Sequence, residues 1–403
     1  MVIEFILFPI LLGGVVLYRS QKGWTDQKKI EKVLELLEIK EGNQTRKFTL
    51  LRKTDIENGV EYVYKIPLKS SMDKIESIYP AIRDGINIKR EGNQKHVEIE
   101  YDGALKITVY EKDIPKKVDF TKETLEQCKG WTICLGETYK GTILHDFEKA
   151  AHMLVAGITR YGKTVLLKNI ITTLTANHPE HAIFSLIDLK GGLAFNRFKN
   201  LRQVKYTAYD VEETLDILRK LEIEMENKFI KMREGGFEDI GESGEKERHF
   251  IIIDEGADLS SSMVKGKEKQ LYMECEKILS KIYRKGAGVG IRCIYATQYP
   301  LQKNLPDSVK INSDAKVVFR LTNETASRTV LDSKGAEKLP IKKDDYQGGR
   351  AIYLTDKELI VQTPFISNKL IDELLAVYQV VKDVEVNNGD RQGENRTNTI
   401  EFR

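Results

Sequence analysis

Two kinds of hydrophobic pattern divide most of the chain. Over residues 46–130, short runs that alternate apolar and polar positions, such as YVYKIPL and ALKITVY, are separated by turn signals such as Asn58-Gly59. Over residues 131–383, continuous apolar runs such as HAIFSLID and HFIIID alternate with helical stretches. Strands buried on both faces of a parallel sheet have this second pattern. The patterns predict a small α+β domain and then a doubly wound α/β domain, with a linker of strand character over residues 112–130.

The helical period is clearest in one segment of the second region. The run DVEETLDILRKLEIEMENKFIKMREGG begins at Asp210, a suitable N-cap residue, and has Glu213 three residues later. Its apolar residues fall on one face, at Leu218, Leu221, Met225, Phe229 and Met232. A shorter amphipathic period near the N-terminus predicts a helical linker over residues 21–45.

The first residues of the chain carry almost no charge. Residues 1–18 are apolar except for Glu4. Basic residues follow at once, at Arg19, Lys22, Lys28 and Lys29. The positive-inside rule then places the N-terminus outside the cell membrane and the following domains in the cytoplasm. We predict a single transmembrane anchor over residues 1–20; a buried or interfacial helix is the alternative, because the apolar run is short for a membrane span.

Bulk composition excludes several classes of protein. The 403 residues include 64 Lys plus Arg and 61 Asp plus Glu, and the net charge of +3 excludes a chain that is polybasic or acidic as a whole. The four cysteines form no C-x-x-C pair, so neither a disulfide framework nor a zinc ribbon is indicated. Residues 384–403 have almost nothing to bury, and we predict that they are disordered.

A glycine-rich motif stands between an apolar run and a helical run. Residues 157–164 read GITRYGKT and fit the G-x-x-x-x-G-K-[ST] pattern. In such a loop the backbone N–H groups surround a phosphate at a helix N-terminus, Lys163 reaches the β and γ phosphates, and the Thr164 hydroxyl binds Mg²⁺. The predicted ATP contacts of this motif are Gly157, Ile158, Thr159, Arg160, Tyr161, Gly162, Lys163, Thr164 and Val165.

Two later strands end in polar residues that complete the predicted site. The run HFIIID ends at Asp254 and is followed by Glu255, while the run IRCIYAT is followed by Gln298. Asp254 is predicted to hold Mg²⁺ and Glu255 to polarise the attacking water as a general base. Gln298 is predicted to sense the γ-phosphate or to position water, since ligands of open α/β sheets bind at the carboxyl ends of the strands. Lys163, Glu255 and Gln298 are the predicted catalytic residues, with ATP and Mg²⁺ as cofactors.

Five blocks in a fixed order carry a resemblance to a known family. They read HMLVAGITRYGKT, IDLKGG, FIIIDEGADL, RKGAGVGIRCIYATQYP and AKVVFRLTNETASRTVLDSKGAEKLP. Through them the chain resembles the FtsK/SpoIIIE family of DNA-translocating motor ATPases. The resemblance implies a RecA-like P-loop NTPase fold and a homo-oligomeric ring, expected to be a hexamer, with double-stranded DNA in its pore. It also implies that Asp188 and Lys190 lie beside the nucleotide and Arg328 near the subunit interface, with Lys303 as the candidate DNA contact.

Two positions depart from the family pattern. Arg160 and Tyr161 are bulky where family members usually have small residues, so groups other than backbone amides are expected to flank the phosphates. Lys228 stands near the place where some members have a trans-acting arginine, and a lysine lacks the planar fork that matches a phosphate. Either Lys228 acts across the subunit interface or Arg233 or Arg328 replaces it.

The predicted function is a membrane-anchored ATPase ring that translocates DNA. The sequence after Leu375 holds nothing that could form the winged-helix DNA reader of the chromosome-segregation members. The resemblance therefore favours a coupling protein that delivers DNA to a conjugative channel, with relaxase and channel proteins as partners. The alternatives are chromosome segregation, type VII-like protein export, and a membrane-tethered scaffold that binds nucleotide without turnover.

Overall fold

The computed structural model describes seven stretches of the chain: 24–37, 39–41, 44–56, 58–67, 72–88, 94–341 and 348–380. The predicted membrane anchor over 1–20 and the predicted disordered tail over 384–403 lie outside these residues. Within the described stretches, no helix is both long enough and apolar enough to cross a membrane.

A small α+β unit comes first. Its elements are α1 (Asp26–Leu34), β1 (Ile39–Glu41), β2 (Gln44–Arg46), β3 (Thr49–Ile56), β4 (Gly59–Lys65), α2 (Met72–Asn87), β5 (His96–Tyr101) and β6 (Leu105–Tyr110). Strands β3 to β6 form an antiparallel sheet in the order β3-β4-β6-β5, and β1 and β2 form a separate hairpin. Helix α1 adds Ile30, Val33 and Leu34 to the buried cluster of this sheet. The segment predicted as a helical linker, 21–45, therefore contains a helix that packs as part of the small unit, but it also contains β1 and the start of β2, which were not predicted.

The segment that joins the two sheets contains a helix, α3 (Lys122–Gln127). The prediction of a strand-like linker over 112–130 is wrong at this point. Thr121 explains the difference: its hydroxyl accepts a hydrogen bond from the Thr124 backbone N–H at 3.2 Å, and the Thr124 hydroxyl accepts one from the Thr121 N–H at 3.2 Å. This reciprocal cap satisfies two donors at the helix start, which favours a helix over an extended segment.

A ten-stranded sheet forms the second unit. Its strands are β7 (Thr132–Thr138), β8 (Gly141–Asp146), β9 (Met153–Ala156), β10 (Ala182–Asp188), β11 (Val204–Ala208), β12 (Arg248–Asp254), β13 (Ile291–Thr297), β14 (Ala315–Phe319), β15 (Arg350–Leu354) and β16 (Glu358–Gln362). Their order is β11-β10-β12-β13-β9-β14-β15-β16-β7-β8. The first six strands in that order are parallel, which confirms the predicted mixed α/β class with a parallel-rich sheet.

The other four strands extend the sheet in antiparallel pairs. This extension differs from the predicted doubly wound parallel sheet. Strands β15 and β16 are joined by only three residues, 355–357, and a connection that short can join antiparallel neighbours but not parallel ones. The same holds for β7 and β8, which are joined through residues 139 and 140.

Helices cover both faces of the parallel part. They are α4 (Lys163–Asn177), α5 (Val211–Gly235), α6 (Lys269–Lys285), α7 (Asp307–Asn312), α8 (Glu324–Leu331) and α9 (Asn368–Leu375). Successive strand residues belong to different buried clusters: Leu154 and Ile251 pack with residues of α5 and α6, whereas Val155 and Ile252 pack with residues of α4. The sheet is thus buried on both faces, as its continuous apolar runs predict. The Asp210 carboxylate caps α5 by accepting from the Glu213 N–H at 2.8 Å, also as predicted.

Candidate nucleotide-binding and catalytic site

The glycine-rich loop connects the carboxyl end of β9 to the start of α4. Two of its glycines lie against Phe319 of β14: a Cβ atom at Gly157 or at Gly162 would come within 2.6 Å of that side chain. Gly162 also has φ +127°, a conformation that residues with a Cβ rarely adopt. The loop therefore needs glycine at both positions. Arg160 has φ +69°, which is unusual for a non-glycine residue, and its side chain is exposed.

Lys163 begins α4 and is buried against two acids. Its ammonium pairs with the Asp254 carboxylate and lies 3.7 Å from Glu255 Oε2. Asp254 ends β12, so the carboxyl ends of two parallel strands bring these charges together. All three side chains are almost fully excluded from water. Charges in such a setting act strongly on any ionic group that enters.

Glu255 has its two carboxylate oxygens in different environments. Oε1 accepts hydrogen bonds from the Gln298 backbone N–H at 2.9 Å and from the Thr297 hydroxyl at 3.2 Å. Oε2 is buried, and no described residue donates a hydrogen bond to it. The backbone of Glu255 is left-handed, with φ +60°. One oxygen thus fixes the side chain while the other can accept a proton, which is the arrangement that a general base requires.

Asp188 and Lys190 lie at the end of the neighbouring strand β10. The buried Asp188 carboxylate accepts from the backbone N–H groups of Lys190, at 3.1 Å, and Ala194, at 2.7 Å. The Lys190 ammonium donates to Gln298 Oε1 at 2.9 Å. Asp188 therefore shapes the loop after β10, and Lys190 joins that loop to the residue after β13.

A second wall of the site comes from the antiparallel extension of the sheet. The Gly349 N–H donates to the Tyr161 carbonyl at 2.8 Å, and the Gly349 carbonyl accepts from the Thr363 N–H at 2.8 Å. The Gln362 side chain donates to the Gly348 carbonyl at 2.8 Å. These contacts hold the tip of the P-loop, where the sequence has the bulky Tyr161. Sequence reasoning missed this wall, although the Gly348-Gly349 pair is itself a turn signal.

These elements enclose a cavity of about 630 Å³, a size typical of small-ligand sites. Seven of the nine predicted P-loop contacts line it, the exceptions being Gly157 and Tyr161. Asp188, Lys190, Asp254 and Gln298 line it as well, whereas Glu255 does not, although its Oε2 is 3.7 Å from the ammonium of Lys163, which does. Lys117 and Val118, from the segment before α3, form part of the wall and were not predicted.

The donor set at the cavity fits Mg²⁺ bound together with a nucleotide. Among the described residues no group of three or more His, Cys, Asp or Glu side chains could hold a metal alone. Mg²⁺ in nucleotide sites is instead held by one or two protein oxygens, phosphate oxygens and water. Thr164 and Asp254 both line the cavity and supply a hydroxyl and a carboxylate. Those two residues are the ones that would hold the ion.

The three remaining predicted residues lie away from this cavity. Lys228 is on α5, and its ammonium is buried without a hydrogen-bond partner among the described residues. Arg328 is on α8, where its Nε donates to Glu324 at 2.8 Å, and the side chain is half exposed. Lys303 is exposed, and its carbonyl accepts from the hydroxyls of two serines, Ser260 and Ser262. Within one chain none of the three contributes to the nucleotide cavity.

The fold and the site together define a P-loop ATPase. Residues 122–249 match the sequence model of the FtsK/SpoIIIE family. The chain is 29% identical over 272 residues to the DNA translocase FtsK of Leptospira interrogans, an alignment that covers 62% of this chain and 27% of the relative. It is 27% identical over 264 residues to the DNA translocase SpoIIIE of Bacillus subtilis, with 60% and 32% covered. The chain thus spans about a third or less of the length of these relatives.

A solved structure has a similar fold over nearly its whole length. It is the monomer form of the pCW3 conjugation coupling protein TcpA with ATPγS, and it aligns with a TM-score of 0.61 at 21% identity. The alignment covers 87% of this chain and 99% of that structure. An alignment of that extent reaches beyond the large sheet into the small α+β unit.

Proposed function

We propose that this protein is an ATP-driven DNA translocase that works as a membrane-anchored ring and delivers DNA to a conjugative transfer channel. The observation that carries the ATPase part is the Glu255 carboxylate, with one oxygen fixed by Gln298 and Thr297 and the other without a hydrogen-bond donor, 3.7 Å from the Lys163 ammonium. The similarity to two DNA translocases supports DNA as the substrate. The fold of TcpA, a conjugation coupling protein, supports the conjugative role.

The residues divide the work of hydrolysis among them. Glu255 Oε2 takes the proton of the attacking water, because its partner oxygen is already fixed and Oε2 itself accepts no hydrogen bond from a described residue. The buried Lys163 ammonium stabilises the negative charge that develops on the transferred phosphate. Thr164 and Asp254 would hold Mg²⁺ together with ATP, and the ion would supply positive charge beside the phosphate oxygens. Gln298 lines the cavity and offers its side-chain N–H group to a phosphate oxygen or to the water.

The ring, the anchor and the subunit contacts extend this proposal beyond one chain. A homo-oligomer, with six subunits as the expected number, would set ATP between neighbours and bring Arg328, Lys228 or Arg233 to the adjacent site. The N-terminal residues 1–20 would hold the ring at the cell membrane with the motor in the cytoplasm. A net charge of +3 requires that DNA contact be local, and the exposed Lys303 is the candidate residue.

The test measures ATP hydrolysis by the purified full chain with and without double-stranded DNA. We expect DNA to stimulate turnover, Lys163→Ala to abolish it, and the protein to displace a third strand from a DNA triplex only while it hydrolyses ATP. Stimulation should weaken as salt rises, because phosphate contacts release counterions. Turnover that ignores DNA but responds to an extended peptide would favour protein export, and nucleotide binding without turnover would favour a scaffold.

Conjugation and chromosome segregation need a separate test. In a donor cell, deleting the gene or introducing Lys163→Ala should stop plasmid transfer while chromosomes still partition normally. Normal transfer together with chromosomes trapped at the division site would contradict the conjugative role and favour segregation.

A further inference from the structure

Gln298 is held at two points, and both contacts reach neighbouring strands. Its backbone N–H donates to Glu255 Oε1 at 2.9 Å, and its side-chain Oε1 accepts from Lys190 at 2.9 Å. Lys190 follows β10 and Gln298 follows β13, while β12 lies between those strands in the sheet. The Lys190 side chain therefore crosses the end of the strand that carries Asp254 and Glu255.

The chemistry of this contact fixes the orientation of the Gln298 amide. An ammonium group can only donate hydrogen bonds, so the amide atom that faces Lys190 must be the oxygen. The amide nitrogen, Nε2, is then free to donate, and none of the described residues accepts a hydrogen bond from it. Both Gln298 and Lys190 line the nucleotide cavity. A phosphate oxygen or the attacking water is the acceptor that this orientation fits.

Lys190 is itself positioned by a buried group. Asp188 is 1% exposed, and its two oxygens accept from the backbone N–H groups of Lys190 and Ala194. Gly191 and Gly192, with φ +87° and +75°, allow the tight loop between those donors. The loop thus sets the position from which the Lys190 side chain starts, although the residue as a whole is exposed.

We infer that Lys190 is a positioning residue that orients the Gln298 amide toward the transferred phosphate, rather than a direct ligand of ATP. Through the Gln298 backbone it also steadies the oxygen of Glu255 that does not take the proton. The inference rests on the proposed ATP hydrolysis, but not on DNA as the substrate. It assigns to Lys190 a role in the chemical step, whereas a phosphate ligand would act on nucleotide binding.

A double-mutant cycle on the full chain tests this role. Lys190→Met should lower kcat for ATP by about 10- to 100-fold, the size expected when a catalytic group is misplaced, and leave KM within about threefold. Lys190→Arg should recover part of kcat, because a guanidinium also only donates. In a Gln298→Leu background, Lys190→Met should cause no further loss, since the amide that Lys190 orients is gone.

Three results would overturn the inference. They are losses that multiply in the double variant, a rise of tenfold or more in KM or in the dissociation constant of an ATP analogue, and an unchanged kcat in Lys190→Met. Lys199→Met, at an exposed lysine of the same connection, is the matched control and should behave like the wild type. Equal unfolding midpoints for all variants separate these effects from misfolding. If the wild type hydrolyses no ATP, the proposed function fails before this test begins.

Discussion

The large sheet has one charged cluster at the amino ends of its parallel strands and another at their carboxyl ends, and the two clusters are built in opposite ways. At the amino ends of β12 and β13, Arg248 donates to both oxygens of Glu148, each at 2.9 Å, and Arg292 adds a third hydrogen bond at 2.9 Å. Burial would raise the pKa of Glu148, but the two arginines hold it below its usual value. Both oxygens of that carboxylate are therefore bound by arginine, and the carboxylate has no oxygen left for a ligand.

In the cluster at the carboxyl ends of the strands, one carboxylate oxygen has no hydrogen-bond donor. Glu255 has one bound oxygen and one buried oxygen without a hydrogen-bond donor among the described residues. The backbones of Glu255 and Arg160 are left-handed, a conformation that costs energy for residues with a side chain. An oxygen without a hydrogen-bond donor and a strained backbone mark the carboxylate that acts, whereas both oxygens of the Glu148 carboxylate are bound.

The largest effect is expected at Glu255. Glu255→Gln should lower ATP turnover by about 10²- to 10⁴-fold, because an amide cannot take the proton of water. The unfolding free energy should change by about 1 kcal/mol or less, since the amide oxygen can keep the contact to Gln298 and Lys163 keeps its pair with Asp254. Steady-state hydrolysis and urea unfolding measure the two quantities. Glu234→Gln, at an exposed site on α5, is the control, and a large loss of stability in Glu255→Gln would contradict the comparison.

A substitution at the amino ends of the strands should have the opposite result, a loss of stability without a loss of turnover. Glu148→Gln removes the carboxylate that two buried arginines share, and we expect it to cost about 2–3 kcal/mol of unfolding free energy, less than a fully buried ion pair because Glu148 is partly exposed. Turnover per folded molecule should not change. Glu180→Gln, which breaks the exposed pair with Arg202, should cost less than about 1 kcal/mol. Equal stability of the two variants would show that saturation does not mark a structural cluster.

Two buried histidines, His145 and His152, make the unfolding free energy depend on pH. Burial lowers the pKa of His145 and of His152 to about 3, from 6.5 in an exposed side chain. Between pH 6.5 and 3 the unfolded chain therefore binds protons at these histidines that the folded chain does not. The unfolding free energy is not reduced by this effect above pH 6.5, and it falls as the pH falls toward 3. Each histidine contributes about 1.4 kcal/mol per pH unit in that window. Urea unfolding between pH 7 and 5 should give a flatter profile for His145→Gln than for the wild type, and parallel profiles would contradict the prediction.

Features that depend on residues close together in the sequence could be predicted, whereas features that depend on contacts between distant segments could not. Strand β12, which ends at Asp254, and strand β13, which precedes Gln298, were predictable because a buried strand has a continuous run of apolar residues. Asp254, Glu255 and Lys163 could be grouped because parallel strands bring their carboxyl ends to one edge. The fixed and free oxygens of Glu255 could not be predicted, since they depend on the backbone after β13.

Contacts between distant segments were the hardest to foresee. Gly349 contacts Tyr161 across almost 190 residues of sequence, and Lys117 reaches the cavity from the linker before the sheet. No periodicity encodes such pairings, because they arise only when the antiparallel strands extend the sheet. The helix α3 was missed for a different reason: its signal is a threonine cap over a single short turn, which the neighbouring extended residues obscured.

The smallest effect is expected at Lys228, which lies on α5 and belongs to neither of the two charged clusters. Its ammonium is buried on α5 without a partner among the described residues, close enough to His249 to add to the effect of burial in lowering the pKa of that histidine. Lys228→Met should therefore raise the unfolding free energy of the monomer by about 1 kcal/mol. Lys231→Met, at an exposed lysine of the same helix, should leave it unchanged. If Lys228 acts across the interface of a ring, the stabilised variant should lose ATP turnover only under conditions in which the protein assembles. A loss of stability in the monomer would mean that the ammonium has a favourable role there, and the comparison of satisfied and unsatisfied charges would fail at this site.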